Sequence, residues 1–219
     1  MVAQNIVNNL QFAGTNIVTF TSDGIYTPPV NLISALVTCV GGGGGSAGCE
    51  ATGPGERSVG GAGSGGATTI STYAKAALLP SVAVTVGQGG SGGALGVNDG
   101  TAGTASTFLG MSAGGGLGGL SAAKGVSVIV NGVTGGNPSG GQINIVGGPS
   151  NLANYSATSF LVSCGGPSSI APPGPSGTPN PGVLYGGGAG SIWQDGSSPG
   201  SAGNDGADGI VIVQEFLAL

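Results

Sequence analysis

The 219-residue chain contains 51 glycines, and only 5% of its residues are charged, eight acidic against three basic (Arg57, Lys75 and Lys124). That balance excludes nucleic acid and an anionic membrane surface as partners, since both recruit clustered Lys and Arg. The lack of histidine rules out a Ser-His-Asp triad. Positive mean hydropathy with few charges argues against a disordered chain. No run reaches the roughly 18 apolar residues of a membrane-spanning helix, so no membrane insertion is expected. The length fits one domain.

In chain order, Met1 to Thr19 is rich in Asn and Gln, with Val2, Ile6 and Leu10 four residues apart and Ile17 and Val18 beginning an extended run. It is expected as a short helix or an arm for attachment or oligomerisation, and it lacks the basic start and long apolar stretch of a signal peptide. Phe20 to Tyr26 encloses the turn Ser22-Asp23-Gly24, and Pro28-Pro29 precedes the apolar run Leu32 to Val40; these read as paired strands. Thr68 to Tyr73, Val82 to Val86, Ser127 to Val130, Gln142 to Val146 and Phe160 to Cys164 carry the β-branched and aromatic residues of strands. Ile210 to Phe216 is the clearest strand of all. Helix is almost absent: Thr72 to Leu79 has alanines enough for one, but its neighbours argue for strand. Pro167, Pro172, Pro173, Pro175, Pro179 and Pro181 mark an exposed loop, because proline cannot donate into a sheet.

Between these runs lie glycine tracts. Gly41 to Gly45 is unbroken, and Gly87, Gly90, Gly93, Gly96 and Gly200, Gly203, Gly206, Gly209 keep a spacing of three. Three residues per turn is the period of the polyproline II helix, whose backbone makes no internal hydrogen bonds and must find partners outside itself. Glycine at every third position bares one face, so such helices can approach closely and bond sideways. Ordering each residue costs about 1–2 kcal/mol, and glycine loses the most freedom. The tracts are therefore expected to pack together or not to order at all.

Other motifs dissolve in this background. Gly61, Gly63 and Gly66 match a dinucleotide-binding spacing but precede a strand instead of a helix. Gly89 to Gly93 encloses Ser91 as a nucleophile elbow does, without a histidine to activate it. No lysine follows a glycine as a phosphate loop requires. Asp205 and Asp208 are expected in a turn before the last strand, with calcium a minor alternative; Glu50 and Glu56 beside Arg57 fit a solvated loop. No cofactor, metal or enzymatic activity is expected. Cys39, Cys49 and Cys164 make an odd count; Cys39 and Cys49 could meet across the five-glycine run, although free buried thiols are the preferred reading. Among the scarce aromatics, Phe20, Tyr26, Phe108, Phe160 and Phe216 accompany strands and are expected in the core. Tyr155, Tyr185 and Trp193 lie among Gly, Pro, Ser and Asn, where Tyr and Trp make rigid contacts in loop-built binding surfaces, and are the candidate binding residues.

Several landmarks occur together: Phe20 with Gly24-Ile25-Tyr26-Thr27-Pro28; Val37-Thr38-Cys39-Val40 running into Gly41 to Gly45; Val82-Ala83-Val84-Thr85-Val86-Gly87. They continue with Ser106-Thr107-Phe108 and Gly110, Ser112 to Gly116, and Gly206-Ala207-Asp208-Gly209 before Ile210 to Val213. In this order they resemble the glycine-rich C-terminal domain of phage and prophage tail fibre proteins. The resemblance implies an all-β fold, a small jelly-roll-like β-sandwich with glycine-rich, partly polyproline II excursions. The expected organisation is an arm over 1–19 and a glycine-rich β domain over 20–219 with exposed loops near 97–102, 149–159 and 165–200. It further implies a homotrimeric receptor-binding tip at the virion's tail fibre or baseplate periphery. Such a tip would bind a bacterial surface glycan or outer-membrane protein without chemistry, held by its arm to another tail or baseplate protein. The alternative is a structural decoration or capping protein whose glycine tracts serve packing alone. An ice-binding glycine bundle shares the period of three, but the prolines and interleaved strands count against it.

Overall fold

The computed structural model describes residues 12–177 and 181–219. In chain order the strands are β1 (Phe12–Phe20), β2 (Gly24–Tyr26), β3 (Leu32–Val40), β4 (Arg57–Gly60) and β5 (Thr68–Ala74). There follow the one-turn helix α1 (Lys75–Leu78), β6 (Val82–Thr85), β7 (Ser106–Phe108), β8 (Met111–Ala113), β9 (Ser127–Val130) and β10 (Pro138–Ser139). The last are β11 (Ile143–Ile145), β12 (Ala153–Ser156), β13 (Phe160–Leu161), β14 (Ile192–Asp195) and β15 (Ile210–Ala218). Two antiparallel five-stranded sheets, ordered β1-β15-β3-β5-β11 and β10-β8-β7-β6-β2, pack as a β-sandwich.

Period-two alternation builds its core. Val37 pairs with Val213, which pairs with Val18, and this row meets Tyr26, Val82, Val84, Phe108 and Met111 of the facing sheet. Phe108 is wholly buried, its ring centroid 5.9 Å from that of Tyr26 and 6.0 Å from that of Tyr73. Buried Glu215 accepts hydrogen bonds from the Tyr26 hydroxyl at 2.8 Å and the Asn16 amide at 2.7 Å. Burial first, and that carboxylate second, raise the Tyr26 pKa beyond the tyrosine range.

Three expectations change here. Residues 12–19 form most of edge strand β1 instead of an arm, while Met1 to Gln11 lies outside the described residues. β1 and β3 belong to one sheet and β2 to the other, so the Ser22-Asp23-Gly24 turn carries the chain across the sandwich and Pro28-Pro29 carries it back, instead of joining paired strands. After Ala74 the alanine-rich stretch does turn helical, and α1 drives Leu78 wholly into the core.

Beyond β3 the chain runs straight on as residues 41–49, every one of them buried. Its amides donate outward in strict rotation. Gly41, Gly44 and Ala47 bond the carbonyls of Ala67, Ser64 and Gly61; Gly42, Gly45 and Gly48 those of Thr104, Thr101 and Asn98; Gly43, Ser46 and Cys49 those of Ala207, Asn204 and Ser201. A step of three along one segment is matched by a step of three back along its neighbour, the repeat of antiparallel polyproline II helices. Carbonyls of the same segment accept from Gly90, Gly93 and Gly96, from Gly116 and Gly119, and from Ala189, so six neighbouring segments surround it. Segment 61–67 is a second hub: Gly61, Ser64 and Ala67 donate to Leu120, Leu117 and Gly114, and Gly63 and Gly66 to Ala189 and Gly186.

Glycine is required because the segments nearly touch. A Cβ on Gly44 would stand closer than 3.0 Å to the Leu117 carbonyl, and one on Gly63 as close to the carbonyl of Gly44. On the outer segments side-chain oxygens replace missing carbonyls at the same period. Gly89 and Gly92 donate to Asp208 and Asp205, and Gln88 and Ser91 to Thr104 and Thr101. Asp205 and Asp208 thus lie on a straight array segment, not in a turn. Of the expected loops, 97–102 is the exposed side of segment 98–104, 149–159 contains β12, and 165–200 contains β14 and the buried run Gly186–Ile192.

Cys39 and Cys49 are separate buried thiols. Ten residues of such backbone set them about 30 Å apart, far beyond a disulfide's roughly 7 Å reach. Burial pushes Cys39 up to about 12 and Cys49 to about 11, and Cys164 is exposed. At mildly alkaline pH, Cys164 should therefore react at once with a thiol-disulfide reagent, and Cys39 and Cys49 only as the chain unfolds; immediate reaction of all three would contradict this packing. Gly44→Ala should lower the free energy of unfolding by about 3 kcal/mol or more. Gly14→Ala, where a Cβ meets nothing within 4 Å, should leave it unchanged or raised by about 0.5 kcal/mol; denaturant titration of the two variants checks the contrast.

Candidate functional site

The array separates two hydrophobic clusters. One is the sandwich. The other lies past Cys49, where two small sheets, β4-β14 and β9-β12-β13, face each other over Val59, Val128, Val130 and Ala153. Eight steps of about 3.1 Å along residues 41–49 put this distal cluster about 25 Å from the end of β3.

Strand alternation assembles the site at the edge of that cluster. In β4-β14, Arg57 is paired with Asp195 and Val59 with Trp193; in β12-β13, Tyr155 is paired with Phe160 across the Ala157-Thr158-Ser159 turn. The turn is fixed locally, since the Ser156 amide donates to the Ser159 carbonyl at 2.7 Å and the Ser159 amide to the Ser156 hydroxyl at 3.0 Å. Three rings meet nearly edge to face: Tyr155 and Phe160 at 4.8 Å, Phe160 and Trp193 at 5.0 Å and 82°, Tyr155 and Trp193 at 5.9 Å and 86°. Such pairs contribute about 0.5–1.5 kcal/mol each beyond burial. Tyr155 is the buried floor, whereas Trp193 is 38% and Phe160 52% exposed.

Polar groups complete the wall. The Tyr155 hydroxyl donates to Asp195 Oδ2, and the Arg57 guanidinium lies 5.3 Å from the centre of the Tyr155 ring. Burial, then Asp195, raise the Tyr155 pKa against the opposing pull of Arg57, so the hydroxyl keeps its proton. Arg57 donates to the Val126 carbonyl at 3.1 Å, but its Nε is buried without a partner. Arg57, Tyr155, Ser156 to Phe160, Trp193 and Asp195 line an open pocket of about 470 Å³, within the range of small-molecule sites.

Of the three candidate residues, Tyr155 and Trp193 come together here. Tyr185 does not: its carbonyl accepts from Ser168 at 2.6 Å, and the next residue, Gly186, packs against Val40 at the sandwich end of the array. Phe160, expected in the core, is a half-exposed wall of the pocket. Its partnership with Tyr155 across a short polar turn was the readable signal, and Arg57 and Asp195 had none, being joined only by strand register. Glu50 and Asp99 tie neighbouring segments together, Glu50 accepting from the Lys124 amide and Asp99 from that of Ser121. Lys124 also pairs with Glu56 at 2.9 Å. Among the described residues no group of His, Cys, Asp and Glu is placed to hold a metal.

Phe160→Ala removes the ring that shields Trp193. Fluorescence should show the emission of this sole tryptophan shifted to longer wavelength, with an unchanged circular dichroism spectrum; unchanged emission would mean that the two rings do not meet.

No curated protein matches the chain. The family model of the glycine-rich domain matches it over residues 19–215, from the end of β1 into β15 and through the whole array, and the chain belongs to that glycine-rich domain family.

Proposed function

We propose that this protein is the receptor-binding tip of a phage tail fibre, which recognises a bacterial surface glycan or outer-membrane protein and performs no chemistry. The observation that carries the reading is the half-exposed Trp193 and Phe160 at the far end of the glycine array. Leaving large aromatic surface in water is unfavourable unless something covers it. Aromatic anchors beside Ser and Thr hydroxyls are the makings of a loop-built recognition surface. The array supports the reading as a rigid spacer, and the resemblance of the chain's landmarks to fibre tips supplies the setting.

In this reading the protein sits on the virion as a homotrimer, attached to another tail or baseplate protein through its N-terminal segment. Each pocket binds weakly, and several copies per particle raise the avidity through effective concentration. Purified protein in excess should block adsorption of the phage to its host cells. The folded double variant Trp193→Ala, Phe160→Ala should fail to block it. Undiminished adsorption in the presence of saturating wild-type protein would defeat the proposal in favour of a decoration or capping role.

A further inference from the structure

Trp193 and Phe160 form a corner at 82°, so a flat ligand ring resting on one meets the other with its edge. Aromatic faces attract apolar C–H groups. A pyranose presents such groups on one face, its axial C–H bonds, while its hydroxyls project from the rim. The remaining lining is polar, as that rim requires: Thr158 and Ser159 line one wall in a turn that the Ser156 hydroxyl holds, Asp195 supplies an acceptor, and Arg57 a donor whose buried Nε has no partner. A buried donor with no protein partner leaves a hydrogen bond for water or a bound molecule to complete. The volume of about 470 Å³ accommodates one or two sugar residues.

Charge narrows the ligand further. The guanidinium and the Asp195 carboxylate offset each other inside the pocket, and the chain as a whole carries a net charge of −5. An anionic sugar gains little from the first and is repelled by the second. We propose that the pocket is a saccharide site for a neutral pyranose, resting on Trp193 and Phe160 and hydrogen-bonded by Arg57, Asp195 and the 156–159 turn. This rests on the receptor-binding reading and deepens it, naming the receptor as a glycan instead of a protein.

Because Trp193 is the only tryptophan, its emission reports the pocket without a label. The full chain is titrated with methyl glycosides of neutral hexopyranoses and, separately, with glucuronic acid. A neutral glycoside should give a saturable change with Kd on the order of 1 mM, as fits a ligand of so few atoms. Glucuronic acid should bind at least tenfold more weakly, and Phe160→Ala should weaken the neutral sugar at least tenfold. No saturable response to any neutral glycoside, equal binding of the acid, or an unaltered titration in the Phe160→Ala variant would each overturn the proposal. Adsorption blocked by the protein together with flat sugar titrations would defeat the saccharide assignment alone. Sugar binding without any block would defeat the phage role and leave the site.

Discussion

The structure depends on hydrogen bonds made sideways by backbone that bonds nothing within its own segment. In residues 41–49 each successive amide points about a third of a turn further round, so three neighbours are served in rotation and no amide is left dry. A net gain of about 0.5–1.5 kcal/mol per bond barely offsets the roughly 1–2 kcal/mol of backbone entropy lost per residue. Such an array is stable only when each segment has many partners at once. The buried hubs 41–49 and 61–67 supply that condition, and the requirement for glycine follows because a Cβ at Gly41 to Gly45, Gly48, Gly63, Gly65 or Gly66 would sit on a neighbour's carbonyl.

Composition is a consequence of this scaffold. Segments at the array's edge lack neighbours on one side, and short oxygen-bearing side chains stand in for absent carbonyls: Thr101, Thr104, Asp205 and Asp208 at steps of three, and Asp99 beside Ser121. That places acidic residues without basic partners and explains a chain that is acidic yet sparsely charged. The conventional hydrophobic core is confined to the sandwich, with a small satellite at the distal end, because the buried hubs between them hold only glycine and small side chains such as those of Ser46, Ala47, Ala62 and Ser64.

Much of this was legible in the residues. The spacing of three in Gly87 to Gly96 and Gly200 to Gly209 identified the faces that bond: Gly90, Gly93 and Gly96 turn toward the central segment, and Gly203, Gly206 and Gly209 toward segment 87–93. β3, β5, β6 and β15 stood out by β-branched alternation. The stretch 165–200 misled because proline and glycine signal loops in ordinary proteins, whereas here Gly165, Gly166 and Gly186 to Gly190 are array members. The pocket was half legible. Tyr155 and Trp193 stood out against small polar neighbours, but their meeting is set by the pairing of β4 with β14 and by the packing of one small sheet on another. Nothing local in the sequence announces either.

The same geometry dictates where a ligand can be held. Inside the array most positions that face a neighbour exclude a Cβ, and the side chains that the buried hubs 41–49 and 61–67 do carry are small, those of Ser46, Ala47, Cys49, Ala62, Ser64 and Ala67. Variation in size and chemistry is pushed to the ends, where segments connect through turns such as Ala157-Thr158-Ser159 and where strand pairs can orient rings. At the sandwich end the connections are drawn against the sheet, Thr68 bonding Ser169 at 2.6 Å and Gly186 lying on Val40. At the other end the satellite cluster is too small to cover its own aromatics. Among the described residues no array segment lies over Trp193 and Phe160, which stay half in water, and the spacer of close-packed backbone holds those two rings at a fixed distance from the sandwich.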